Sequence, residues 1–347
     1  LVLCEGDGTG SANDTNTDAS ILVAAAPGKD QRVYPLGSAY TKLYQSEDGR
    51  YALVTTEGSS SESIISNAND ISVVDLGAAP SESNPAQRTL SSDGGTPHGV
   101  LFTPVLTVGD STKRLAIVLY DGSVTLLDLE HRDRPAFKVP LSSDAALQVA
   151  GVSYAPQSGR IYLYGTSSSD VFELQLLPSS GTSRQNDYFP SLNQLGAGGT
   201  ITALGNYELG GSQYVVAARS AATTLVLDTQ SGASVEVPTM MGASKVDIYD
   251  RDPDTDAGLT AVLMGGDDAV SFINLDTVLK RPENSVQTLP LKSVPSQMVV
   301  SGDGRVTLVM LNSGLTVLDE AAGDLFPLNT FGVVDQTPLY DAQTNAM

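Results

Sequence analysis

Apolar residues in this chain fall into short β-rich runs broken by turns of Gly, Asp and Ser, and one phrase recurs. A run ending in aspartate appears as "ISVVDLG" (71–77), "SVTLLDLE" (123–130), "TTLVLDTQ" (223–230), "SFINLDTV" (271–278) and "GLTVLDEA" (314–321). A sixth copy, "VFELQLLP" (171–178), carries glutamine in that place. The marker positions are Asp75, Asp128, Gln175, Asp228, Asp276 and Asp319, separated by 53, 47, 53, 48 and 43 residues. Upstream of each lies another apolar run, such as "RYALVTT" (50–56), "RLAIVLY" (114–120) or "QYVVAAR" (213–219), and before that one more, such as "HGVLFTP". Downstream comes a shorter strand, as in "AFKVPL" and "SVEVPT". Four short strands per unit at this period, with no competing helical periodicity, predict the blades of an all-β propeller. Each marker aspartate is expected to fasten its turn by accepting hydrogen bonds from the main-chain N–H groups that follow.

Six units are complete and both ends are left over. "LVLCEG" at the N-terminus aligns with "LVTTEG" (53–58), so residues 1–5, 20–26 and 31–36 read as the second, third and fourth strands of another blade. Its first strand is supplied by "PLYDAQTNAM" (338–347), which resembles "KLYQSEDGRYA" (42–52). The expectation is therefore one domain spanning 1–347: a seven-bladed β-propeller of four antiparallel strands per blade. Residues 1–36 and 331–347 together form the closing blade, which removes the free sheet edges. On this reading Cys4 is a small buried apolar residue. Its alternative, a lipid-attachment cysteine, meets Leu3 where a small residue is wanted.

Charge narrows the partners. Lys and Arg number 19 against 40 Asp and Glu, a formal net charge of −21 and a pI of about 4.2. That field repels nucleic acid and anionic membrane surfaces and leaves basic protein surfaces or divalent cations. The single cysteine excludes an internal disulfide. No apolar run reaches the roughly 18–20 residues of a membrane-spanning helix. The Ser/Thr/Gly/Asp-rich, lysine-poor loops read as an extracellular, periplasmic or outer-surface protein.

Two stretches carry a family likeness. "GGTPHGVLFTP…STKRLAIVLYDGSVTLLDLE" (94–130) and "VPSQMVVSGDGRVTLVMLNSGLTVLDEAAG" (294–323) resemble YVTN-type repeats of lactonase-like and WD40-like propellers. Shared features are a Pro-led first strand, a D-G turn and a closing V-x-x-L-D. The family's "PDG" turn survives only as "EDG" (47–49) and "GDG" (302–304), and the repeat is longer than the family's. The resemblance implies a propeller, and it implies that residues at blade entries near the channel mouth bind ligand.

Candidate chemistry is sparse. His98, in "TPHGV", stands at the entry to an innermost strand, and the loops joining second and third strands offer Asp121, Asp170, Arg219, Asp267 and Asp268. These six are the channel-mouth candidates, without forming a recognisable catalytic set. His131, with Arg132 and Arg134, reads as a solvated charge cluster on an outer turn. Alternating Asp250, Asp252, Asp254 and Asp256 in "DRDPDTDAG" resemble the core of a calcium loop, although the glycine comes late and no closing glutamate follows. Calcium is the one cofactor the sequence raises; "NDTNTDAS" (13–20) repeats the pattern more weakly. No Gly-rich phosphate loop or nucleophile elbow is present. Two function classes follow. One is a non-catalytic protein-binding or structural scaffold of the bacterial cell envelope or exterior. The other is a lactonase-like hydrolase acting on a small sugar-like substrate.

Overall fold

The computed structural model describes residues 1–4, 20–23, 31–36, 40–56, 70–80, 87–91, 95–143, 146–166, 168–180, 185–209, 212–250, 258–291, 293–300, 306–311, 314–319 and 326–332. Nearly all regular structure is antiparallel β-sheet, in the predicted order of strands. The first sheet has three strands, Val2–Cys4, Ser20–Val23 and Arg32–Pro35, paired in sequence. Six four-stranded meanders follow. Their opening strands are Lys42–Gln45, Gly99–Phe102, Val149–Ala155, Ile201–Leu209, Lys245–Asp250 and Pro295–Val300. The last strand of the seventh sheet, Phe326–Gly332, reaches just past the expected boundary at 331. The strand expected in 338–347 lies outside the described residues, as does the "GDG" turn.

The chain divides into two compact units. One holds Leu1–Ala150, Tyr154–Leu163 and Phe172–Gln194; the other holds Gly151–Ser153, Tyr164–Val171 and Leu195–Met347.

In the first unit the physics of the apolar runs is plain. Tyr51–Thr55 is buried at every position. Ala52 and Val54 join Ile21, Tyr34 and Leu36 of the first sheet, while Tyr51 and Leu53 join Val100, Ala116 and Val118 of the third. A strand sandwiched on both faces must be apolar throughout, which is why alternation is missing there. Each fully buried Val or Leu side chain contributes about 1.5–3 kcal/mol. The Tyr34 hydroxyl ties the first sheet to the second through the carbonyls of Leu76 (3.0 Å) and Ala78 (2.8 Å). In the second unit, Leu259–Met264 splits its faces in the same way. Ala261 and Leu263 pack with Val216 and Val226 of the preceding sheet, and Val262 and Met264 with Phe272 on the other side.

The marker aspartates do fasten turns. Asp75 accepts from Gly77 N (2.9 Å), Asp128 from Glu130 N and His131 N (both 3.0 Å), and Asp228 from Gln230 N (2.9 Å) and Ser231 N (3.2 Å). Asp276 departs from expectation. Its strand ends two residues early, at Asn274, which caps a single helical turn, Leu275–Val278, taking the N–H groups of Asp276 and Thr277. The freed Asp276 carboxylate reaches back to the start of the second strand, accepting from Gly258 N (2.6 Å) and Leu259 N (3.1 Å). In the fourth sheet Leu176 N donates to the Gly159 carbonyl, as Leu76 N does to Arg50. The acid of that strand, Glu173, meets side chains instead of turn N–H groups: Arg160 (3.3 Å) and Asn193 (3.2 Å).

Cys4 corrects another expectation. It is exposed, on Val2–Cys4, the edge strand of its described sheet.

Candidate functional site

The six channel-mouth candidates resolve into pairs and single fasteners. In the first unit, a two-residue turn, Asp121-Gly122, joins paired Tyr120 and Ser123, with Gly122 at φ 64°. The turn presents Asp121 Oδ1 to His98 Nε2 at 2.9 Å, and Gln148 Nε2 approaches the same oxygen at 3.4 Å. Both side chains are solvent-facing, 40% and 45% exposed.

In the second unit Arg219 is nearly buried, with Nη1 2.7 Å from Glu236 Oε2. Gly198 and Gly199 lie against its side chain so closely that a Cβ at Gly199 would stand 3.2 Å from Arg219 Cδ. The hydrogen bond and charge of Arg219 hold the Glu236 carboxyl below its usual range. Asp170 opens its strand with its N–H on Ser168 Oγ (3.0 Å). Asp267 accepts from Met241 N (3.2 Å), and the Asp268 carbonyl accepts from Leu291 N (2.7 Å). Asp250 takes the Tyr207 hydroxyl at 3.3 Å. Its companions Asp252, Asp254 and Asp256 lie outside the described residues. Among the described residues no three His, Cys, Asp or Glu side chains gather as ligands for a metal.

The expected solvated cluster at His131 is corrected. Arg134 is only 12% exposed and belongs to a buried charge network centred on Lys113, itself 1% exposed. Lys113 Nζ lies 2.8 Å from Asp187 Oδ2 and 3.6 Å from Asp128 Oδ2. Arg134 Nη1 lies 2.7 Å from Asp187 Oδ1, and His131 Nδ1 3.2 Å from Asp128 Oδ2. Arg132 turns instead to Asp75, 3.8 Å away. Burial alone would raise the Asp187 carboxyl, but Lys113 and Arg134 outweigh it and leave it below the ordinary range. Tyr188, packed on Phe137 with ring centroids 5.3 Å apart, is pushed well up by burial and by the nearby Asp128 and Asp187 charges. Sequence reasoning missed this network because Asp187 arrives from a separate strand entry far along the chain. Only Lys113, at the head of the apolar run in "STKRLAIVLY", hints at it.

A groove of about 430 Å³ opens in the first unit. Its walls are Tyr51, Phe102, Pro104, Leu129 and Tyr154, and its charged and exposed positions are Glu47, Asp48, Val105 and Arg114. The serine and threonine hydroxyls in its lining are already spent. Ser46 Oγ donates to Asp48 Oδ1 (2.7 Å) and accepts from Tyr51 N (2.9 Å), and Thr103 Oγ1 accepts from Leu115 N (2.9 Å). Arg114 is paired with Asp48. The Asp48 carboxyl is held low by the Ser46 hydroxyl, against the pull of burial, with Arg50 N and Arg114 helping. Burial pushes the Tyr154 phenol up to about 12. Volume, apolar walls and a few fixed polar groups are what a binding pocket requires. The "EDG" turn was the part of it visible in the sequence; the aromatic walls come from strand ends scattered between residues 51 and 154.

No family model matches the chain, and no curated protein does. Solved structures do. A dihydro-heme d1 dehydrogenase, NirN, in complex with DHE matches with a TM-score of 0.50 and 14% identity over 87% of this chain. The chain spans 61% of the length of that protein. A chain of a mitotic checkpoint complex matches with a TM-score of 0.47 and 11% identity, covering 90% of this chain and 88% of that one. A protein from Desulfotomaculum acetoxidans gives 0.45 and 13%, covering 86% and 87%. The first likeness is one of fold alone, and that fold is of the propeller kind.

Proposed function

We propose that this chain is a non-catalytic, protein-binding scaffold of the bacterial cell envelope or exterior, built as a closed seven-bladed propeller. The observation that carries the binding reading is the groove between Tyr51, Phe102 and Tyr154: apolar walls, an exposed Val105 (42%) and a charged rim. The carboxylates Asp75, Asp128 and Asp228, by contrast, are occupied in holding turns. The acidic, lysine-poor composition supports a place outside the cytoplasm. A peptide-display selection against the full chain tests the function, with Val105→Lys as counter-selector. Peptides retained by the wild type and released by the variant support the reading; none retained refutes it.

A second reading, a lactonase-like hydrolase, rests on the exposed His98–Asp121 pair. A carboxylate 2.9 Å from an imidazole can orient it as a general base. Turnover of a lactone panel that disappears in His98→Ala would favour it over the scaffold.

Closure rests on register. In the second sheet Lys42 pairs with Thr55 and Tyr44 with Leu53. Carrying "TKLYQ" (41–45) onto "TPLYD" (337–341) sets Pro338 opposite Leu3, Tyr340 opposite Leu1 and Thr337 beside Cys4. The variant Thr337→Cys is expected to form an intramolecular disulfide with Cys4 on mild oxidation. Two thiols that both remain free to alkylate would refute the seventh blade.

A further inference from the structure

We propose that the groove at Tyr51, Phe102 and Tyr154 receives the guanidinium side chain of an arginine presented by a partner protein. The inference rests on the binding reading and names the anchor that the site takes.

Local charge balance carries it. Three ionisable side chains other than tyrosine line the groove: Glu47, Asp48 and Arg114. Asp48 is held ionised by the Ser46 hydroxyl and Arg50 N and is matched by Arg114, so these two cancel. Glu47 has no hydrogen-bond or ion-pair partner among the described residues and leaves the rim one negative charge in excess. An occupant carrying a single positive charge restores neutrality; an anion would face Glu47 alone. The chain's net charge of −21 steers cations toward it over longer range.

The walls choose among cations. Phe102 and Tyr154 bring aromatic rings to the lining, Tyr51 being 1% exposed and already under Arg50, and aromatic faces attract a flat, delocalised cation electrostatically. The protein already uses this contact internally, with Arg50 set 4.9 Å from the Tyr51 ring centroid and Arg32 5.9 Å from that of Tyr34. Guanidinium is planar and weakly hydrated, so it loses less than ammonium on leaving water. The Tyr154 hydroxyl, without a partner among the described residues and neutral at any working pH, is an acceptor for one of its N–H groups. Arginine's aliphatic stem suits Pro104 and Leu129, and exposed Val105 can take an apolar neighbour of the anchor.

Calorimetric titration of the full chain with acetyl-Val-Arg-Val-amide tests this, beside the same peptide with citrulline, the uncharged isostere. The arginine peptide is expected to bind about tenfold tighter than the citrulline peptide. Its affinity should fall severalfold in Glu47→Gln and in Tyr154→Ala, and fall again as salt rises. Glu47 lies on an exposed turn, so that variant folds, and circular dichroism checks both. Equal affinity for the two peptides, with both lost in Val105→Lys, overturns the arginine anchor and leaves the binding reading standing. Failure of the arginine peptide to bind also overturns the anchor. Lactone turnover dependent on His98 would overturn the binding reading as well.

Discussion

Replacing Lys113 with methionine keeps the length and bulk of the side chain and removes only the charge. The wild-type network holds two cations, Lys113 and Arg134, against two carboxylates, Asp128 and Asp187, with His131 at its edge. At an effective dielectric of about 20, the two Lys113 contacts at 2.8 and 3.6 Å are worth roughly 6 and 5 kcal/mol of gross attraction. Most of that offsets the loss of water around a lysine only 1% exposed. The measurable quantity is the cost of leaving carboxylates short of a partner, about 3–5 kcal/mol for a broken buried pair. Arg134 remains 2.7 Å from Asp187 and 4.0 Å from Asp128, so the lower end, about 3 kcal/mol, is expected. Urea unfolding followed by tyrosine fluorescence suits a chain with 13 tyrosines and no tryptophan. A double-mutant cycle with Asp187→Asn should return a coupling of about 0.5–3 kcal/mol. The sign with pH follows from the native carboxyl being lowered. The Asp187 contribution is fully present above the unfolded value near 4 and is lost as pH falls through the lower folded one. In Lys113→Met that carboxyl rises, so the deficit against wild type should shrink as pH falls below about 4. A loss under about 1 kcal/mol, or a coupling near zero, refutes the network as a stabilising unit.

Further outcomes are expected elsewhere. Asp228→Ala removes the acceptor for Gln230 N, Ser231 N and Ser231 Oγ and should cost about 1 kcal/mol in chemical denaturation. Its folded carboxyl is lowered despite burial, so the variant should also lose less stability than wild type as pH falls below about 4. Gly266→Ala would drive a methyl into the carbonyl oxygens of Met241 and Gly242, lowering thermal stability by about 1–3 kcal/mol; an unchanged melting temperature would contradict that packing. Cys4, exposed on its edge strand, should react stoichiometrically with a thiol reagent in the native state, and protection until denaturant is added would mean it is covered.

Which parts of this protein were legible in its sequence follows from the range of the interactions involved. Strands and turns are short-range matters. "SVTLLDLE" announces a strand because both its faces are buried, and it announces the end of that strand because Asp128 bonds N–H groups two and three residues on. The same logic failed at Asp276, where Asn274 took the marker's role by accepting the N–H groups two and three residues after itself, and the Asp276 carboxylate turned to Gly258, 18 residues upstream. It failed at Arg134 for a stronger reason. A charge beside other charges in "LEHRDRP" looks solvated until Asp187 is placed 53 residues away in sequence and 2.7 Å away in space. The groove is the extreme case. No residue type in it is unusual, and its character comes from Glu47, unpaired among the described residues, beside a neutralised Asp48–Arg114 pair and rings drawn from three different sheets. Motifs report chemistry that needs adjacent residues. A site made of strand ends needs only that the framework hold them, so the repeat that makes the fold readable also leaves the site unwritten.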